Sequence, residues 1–138
     1  MSDIVRFGVS LDKTLLEKFD HLIKARHYTN RSEAFRDMIR QELVKKEWEE
    51  NQEVVGAVTI VYDHHQRTIL HKINDVQHDF LDIIISTQHI HLDHDNCCEI
   101  IAVRGASGEV QRLSDTLKSI KGVRHETLNM SSTGKAIV

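Results

Sequence analysis

Apolar and polar residues alternate at the start of the chain: Val5, Phe7 and Val9 against Arg6, Gly8 and Ser10. Period-two alternation predicts a short strand with one apolar face. Asp12 or Ser10 is placed to cap a following helix. Leu15, Leu16, Phe19, Leu22 and Ile23 then recur at helical spacing to about Arg26. His27-Tyr28-Thr29 breaks the pattern. Asn30-Arg31-Ser32-Glu33 has the form of a capping box, with Asn30 at N-cap and Glu33 at N3. Ala34, Phe35, Met38, Ile39 and Leu43 carry a second helix to about Trp48. The N-terminal stretch therefore reads strand, helix, helix. Such a unit is too small to bury a good core alone, and its one strand has no partner within it. Pairing two copies into a ribbon over four helices would mend both faults.

Glu49-Glu50-Asn51-Gln52-Glu53 is a polar run with the composition of a linker. Beyond it the pattern predicts a strand over Val54–Tyr62, a helix from Gln66 to about Phe80, and strands over Ile83–Leu92 and Cys97–Val103. A helix over Gly108–Ile120 and a closing strand over Val123–Met130 complete it. The helix stripes are Ile69, Leu70, Ile73 and Val76, then Val110, Leu113, Leu117 and Ile120. The order βαββαβ is the ferredoxin-like split. The expected class is α+β, with one domain over residues 1–50 and a second over 51–138. The chain has no proline, so turns and helix starts rest on Gly, Asn and Asp.

Bulk composition narrows the function classes. Charged residues are 28% and apolar residues 40% of 138, as expected of a folded, water-soluble chain. No apolar run approaches the roughly 20 residues of a membrane span. Met1-Ser2-Asp3 lacks a basic start and a long apolar core, so no signal peptide is read and a cytoplasmic location is expected. Two adjacent cysteines make no disulfide framework. The net charge of −3 argues against nucleic acid at first sight. Yet Lys24 to Lys46 holds seven basic residues against three acidic ones. A local basic zone inside an acidic protein suffices for a DNA footprint.

The chemistry concentrates at His89-x-His91-x5-Cys97. On a strand, His89 and His91 share a face. Asp93-His94-Asp95-Asn96 is a polar turn cluster, and a hairpin there brings Cys97 back beside the imidazoles. Two nitrogens and a soft sulfur suit a late first-row divalent metal rather than calcium or magnesium. Eight of the ten histidines lie after residue 60. Two strand histidines also occur as ordinary exposed residues, and a buried cysteine as a core filler. Cys98 should face away from Cys97 and read as core, and His94 as a solvated turn residue. His64, His65, His71 and His125 are surplus histidines that could take extra metal.

The chain resembles the NikR family of nickel-responsive ribbon-helix-helix regulators over nearly its whole length. The resemblance rests on Arg6-Phe7-Gly8-Val9-Ser10-Leu11 and Asn30-Arg31-Ser32-Glu33-Ala34-Phe35-Arg36-Asp37. It continues through Gln77-His78, His89-Ile90-His91, His94-Asp95-Asn96-Cys97 and Gly122-Val123-Arg124-His125. It implies an ACT-type C-terminal domain that assembles four chains. It also implies nickel in a plane of His89, His91 and Cys97 from one chain and His78 from a facing chain. Glu99 would orient the ligands through hydrogen bonds, and Tyr62 would lie beside them. Arg6, Gly8 and Ser10 would enter the major groove of operator DNA, with Arg31 and Ser32 anchoring phosphate. Gly8 departs from the usual polar residue and removes one base contact, so an operator sequence does not carry over. Glu33 and Asp37 would repel unless Arg36 and Arg40 neutralise them; the resemblance implies instead a potassium site formed by the two carboxylates with main-chain oxygens around Lys118, Ile120 and Val123.

The expected activity is metal-dependent repression of transcription, not catalysis. A planar site with four protein ligands leaves no easy position for water or substrate, whereas catalytic metals keep one open. A nickel or copper carrier would explain the histidines but not the strand-helix-helix unit.

Overall fold

The computed structural model describes residues 3–138. The chain divides into two compact units, one ending at Arg40 and the other spanning Gln41–Val138. The elements are α1 (Lys13–Ala25), α2 (Arg31–Glu49), β1 (Glu53–Asp63), α3 (Arg67–Asp79), β2 (Ile84–His91), β3 (Asn96–Ala106), α4 (Ser107–Lys118) and β4 (Val123–Ser131).

In the first unit, Asp12 caps α1 by accepting the Thr14 N–H at 3.1 Å. The helix closes with His27 in the left-handed region at φ 61°. Tyr28 N–H reaches back to Ile23 O and His27 N–H to Lys24 O, which satisfies orphan carbonyls at the helix end. Asn30 starts α2 by accepting the Glu33 N–H at 2.9 Å. The box is only half made, because Glu33 turns to Arg36 instead of reaching back. Ile23 and Ala34 are buried, and Phe7 meets Phe35 at 5.6 Å between ring centroids.

The strand expected over Val5–Val9 is not formed; residues 3–12 pair with no strand in this chain. A ladder needs a second strand to take its N–H and C=O groups, and the described residues of the unit supply none. Val5 is 80% exposed and Phe7 69%, so the apolar face of that segment is uncovered in the single chain.

The second unit is a four-stranded antiparallel sheet in the order β2-β3-β1-β4. Along β1, Val54, Val58, Ile60 and Tyr62 are buried at period two. They form one core with Ile101 and Val103 of β3, Ile69 and Ile73 of α3, and Val110, Leu113 and Leu117 of α4. Cys98 is buried as well, but it lies outside that core on the other face of β3. The turn into β4 requires Gly122: its φ is +105°, and a Cβ there would stand 2.2 Å from Ile69 Cδ1.

The polar run at 49–53 is not a loose linker. It is the end of α2, a turn, and the first residue of β1. Asn51 takes φ 54° and Gln52 N–H bonds Glu47 O at 3.0 Å, closing the helix. Asn51 Oδ1 accepts the Gly108 N–H at 2.8 Å, and Ser107 Oγ donates to Trp48 O at 2.6 Å. Trp48 Nε1 donates to Ser131 O at 2.9 Å, and its ring lies over Gly56, where a Cβ would be 3.4 Å from it. Those polar side chains serve capping rather than flexibility.

Candidate metal centre

The β2–β3 hairpin places His91 opposite Cys97 and His89 opposite Glu99. Asp93 shapes the turn: its carboxylate accepts the N–H groups of Asp95 (2.9 Å) and Asn96 (2.8 Å) and the Asn96 side-chain amide. Those bonds hold the Asp93 carboxyl below its ordinary range, first through the Asn96 side chain. Cys97 Sγ then lies 3.3 Å from His91 Nδ1. Metal–sulfur and metal–nitrogen bonds of ~2.3 and ~2.0 Å place two adjacent donors about 3.1 Å apart at a right angle and about 3.5 Å at a tetrahedral angle. The observed separation falls within that span. Cys97 is fully buried, and burial pushes its thiol upward, with the charge of Glu99 adding to it. A thiolate here therefore needs a cation beside it.

His89 is set differently. Its Nδ1 lies 3.4 Å from Glu99 Oε1 and 3.5 Å from the Tyr62 hydroxyl. Its ring centroid is 5.1 Å from that of His91. Glu99 is 8% exposed, and its other oxygen accepts from Gln77 Nε2 at 3.1 Å. Gln77 Oε1 accepts in turn from Thr87 Oγ1 at 3.2 Å. A chain of hydrogen bonds thus runs from the last turn of α3 to a candidate ligand. Tyr62 is 1% exposed; burial, then the nearby Glu99 charge, pushes its hydroxyl far above its ordinary value. It stays a neutral O–H donor.

Around Cys97, the donors that come within 4.8 Å of one another are its own sulfur and ring nitrogens of His64 and His91. Sequence spacing pointed to His89 as the third. His64 follows β1, and the pairing of Tyr62 with Cys97 and Asp63 with Asn96 delivers it to the hairpin. The signal available in the sequence was the His64-His65 pair directly after a strand. His78 is exposed on the last turn of α3 and joins no group of metal donors among the described residues. His71 and His125 are likewise exposed and join none.

On the first unit, Arg6, Gly8 and Ser10 are exposed, and a Cβ on Gly8 would meet nothing within 4 Å. Ser32 is exposed at the start of α2, while Arg31 makes a two-pronged contact with Asp20, both bonds 2.9 Å. The Arg31 guanidinium holds the Asp20 carboxyl below its ordinary range. Glu33 pairs with Arg36, and Tyr28 donates its hydroxyl to Asp37. No helix among the described residues is long and apolar enough to cross a membrane.

Fold and site together define a ribbon-helix-helix protein carrying a ferredoxin-like domain with a histidine–cysteine cluster. Residues 5–46 match the family model for ribbon-helix-helix proteins of the copG family, and residues 55–131 that of the NikR C-terminal nickel-binding domain. A protein of Syntrophus aciditrophicus named "Putative nickel-responsive regulator" is 67% identical over 135 residues, covering 98% of each chain. Proteins of the same name from Chlorobium phaeobacteroides (96% of this chain, 98% of that one) and Pyrococcus furiosus (98% and 99%) are 56% and 48% identical. A solved structure of an uncharacterized protein from Thermotoga maritima superposes with a TM-score of 0.51 at 18% identity. It covers 56% of this chain and 95% of its own, a likeness of fold alone. The chain belongs to the family of nickel-responsive regulators.

Proposed function

We propose that this protein is a nickel-responsive transcriptional regulator that binds operator DNA in its metal-loaded form and represses transcription. The observation that carries the reading is the Cys97–His91 pair at 3.3 Å, set in the same chain as an exposed ribbon segment bearing Arg6 and Ser10. His91 and Cys97 supply two donors. His89 supplies a third once its ring turns from Tyr62, with Glu99 holding Nδ1. His78 of a facing copy supplies the fourth, which makes the site depend on a tetramer built from two ribbon dimers. A planar set of nitrogen and sulfur donors favours Ni(II) or Cu(II) over Zn(II). In the first unit, Arg6, Gly8 and Ser10 face the major groove, and Arg31 and Ser32 meet phosphate. Glu33 and Asp37 would take potassium by exchanging their present partners, Arg36 and Tyr28. This work is done in the cytoplasm, and no catalytic step is assigned to the metal.

Nickel and DNA occupy different units, so any effect of one on the other is a coupling free energy, typically about 1–3 kcal/mol or roughly 5- to 150-fold. A gel shift on operator DNA with and without nickel, at fixed salt and potassium, measures it. Equal affinity of apo and nickel-loaded protein rejects the switch. A parallel titration with Ni(II), Cu(II) and Zn(II), read by absorption, tests the geometry. His78→Ala should then weaken nickel binding and change the spectrum as strongly as His89→Ala does. An unchanged spectrum removes His78 from the site.

A further inference from the structure

We propose that Asp20 is a specificity-determining residue for DNA binding: it cancels the long-range pull of Arg31 on phosphates and leaves Arg31 able to bond only a phosphate that arrives in register. The inference rests on the reading that Arg31 meets phosphate. Asp20 lies on α1, and Arg31 is the first residue of α2. Asp20 Oδ1 accepts from Arg31 Nε and Oδ2 from Nη2, both at 2.9 Å. The turn between the helices holds the two residues in place. Ile23, one helical turn on from Asp20, is buried, so this side of α1 faces into the unit. The N–H groups of His27 and Tyr28 close α1 onto Lys24 O and Ile23 O, and Asn30 fixes the start of α2 by accepting the Glu33 N–H. Arg31 therefore leaves its helix at a set point, with a carboxylate already in reach.

The pair uses one edge of the guanidinium, Nε and one N–H of Nη2. The other edge, both N–H groups of Nη1 and the second of Nη2, is not spent on Asp20. The Arg31 side chain is 59% exposed, so a phosphate can bond that edge without displacing the carboxylate. Such bonds are short and directional, and they form only where a phosphate stands at the right place. Charge acts otherwise. It reaches across about 10 Å at about 0.1 M salt, so an unpaired guanidinium would draw in every phosphate nearby, whatever the sequence. Arg31 holds the Asp20 carboxyl below its ordinary range, so the carboxylate stays ionised and the pair is neutral at a distance. Non-specific binding rests on charge neutralisation, whereas register rests on placed hydrogen bonds. The pairing therefore subtracts more from binding to arbitrary DNA than from binding to the operator.

Nickel-loaded, full-length protein is titrated into two labelled duplexes, below the melting range of every variant and over a series of salt concentrations. One duplex is the sequence that wild type selects from random DNA, and the other is a scramble of it. For the scramble, Asp20→Asn should steepen the slope of log affinity against log salt by about 0.9 for each Arg31 freed. The same slope raises affinity for the scramble by up to roughly eightfold per freed Arg31 at about 0.1 M salt. Affinity for the selected duplex should rise less, so the ratio between the two falls. Asp20→Glu, which keeps the charge, should hold the wild-type slope. In an Arg31→Ala background, Asp20→Asn should change neither slope nor ratio, because the carboxylate acts through Arg31. A wild-type slope for Asp20→Asn, an unchanged ratio, or a steeper slope that persists without Arg31 overturns the proposal. Arg31→Ala binding both duplexes as wild type does refutes instead the phosphate contact on which the inference rests.

Discussion

Glu99→Gln separates the role of one carboxylate in holding a ligand from its role in the fold. Glu99 accepts from two groups at once, Gln77 Nε2 at 3.1 Å and His89 Nδ1 at 3.4 Å. The amide that replaces it has one acceptor and one donor end, so it can serve only one of them. If its oxygen keeps Gln77, its NH2 faces His89 Nδ1. The imidazole must then move its proton to Nε2, the nitrogen that a donor at Nδ1 leaves free for metal. Loss of such a supporting group lowers metal affinity about 10- to 100-fold, which is about 1.4–2.7 kcal/mol at ~1.4 kcal/mol per decade. The effect on folding should have the other sign. Glu99 is 8% exposed, and replacing a buried carboxylate by a neutral amide removes a desolvation cost. The Tm of the apo-protein should therefore equal or exceed that of wild type. Nickel affinity is read by competition against a chelator of known strength, and Tm by calorimetry on the same preparation. A variant with wild-type nickel affinity refutes the argument, as does one whose lost affinity only follows a fall in Tm.

Arg6→Ala should abolish specific operator binding in a gel shift while nickel binding survives, since a two-pronged guanine contact is worth about 1–3 kcal/mol per half-site; equal operator affinity would take the segment out of the DNA interface. Gly122→Ala should lower urea stability by about 1–3 kcal/mol, because the alanine is strained at positive φ and drives into Ile69; wild-type stability would show that the turn relaxes freely. Asp20→Asn should lower Tm at neutral pH. Arg31 holds the folded Asp20 carboxyl below its ordinary 3.8, so its stabilisation is complete above that value and is lost as pH falls through the folded one. The two proteins should melt alike in strong acid, and a difference that persists there would exclude the Arg31 pairing as its source.

Much of the second unit was legible in the sequence. Val54 to Tyr62 alternates because β1 lies with one face on helices, and the stripes of α3 and α4 recur because those helices bury one side. The hairpin was legible too, since Asp93-His94-Asp95-Asn96 can only be a turn and His91 then meets Cys97. His64 was not, because it reaches the hairpin through the pairing of β1 with β3, a contact between distant stretches that no local pattern records. Val5 to Val9 shows a different limit: its alternation is real, but hydrogen bonds make a strand, and a single chain offers this segment no partner. The polar run before β1 misled because Asn and Gln serve helix closure and flexible tethers equally well, and only the bonds to Ser107 and Gly108 tell them apart.

Trp48 has a practical consequence for building hybrid regulators. The compact unit that contains the sheet begins at Gln41, within α2, not at the polar run that follows it. The last turns of that helix are fastened to the sheet through Ser131, Ser107 and the space over Gly56. A graft joined at Glu50, where composition invites the cut, would strip the indole from its niche and take from Ser107 and Ser131 their bonds to Trp48. A graft joined between Arg40 and Gln41 keeps every one of those contacts with the metal-binding half, and requires of the incoming module only that its chain leave as helix.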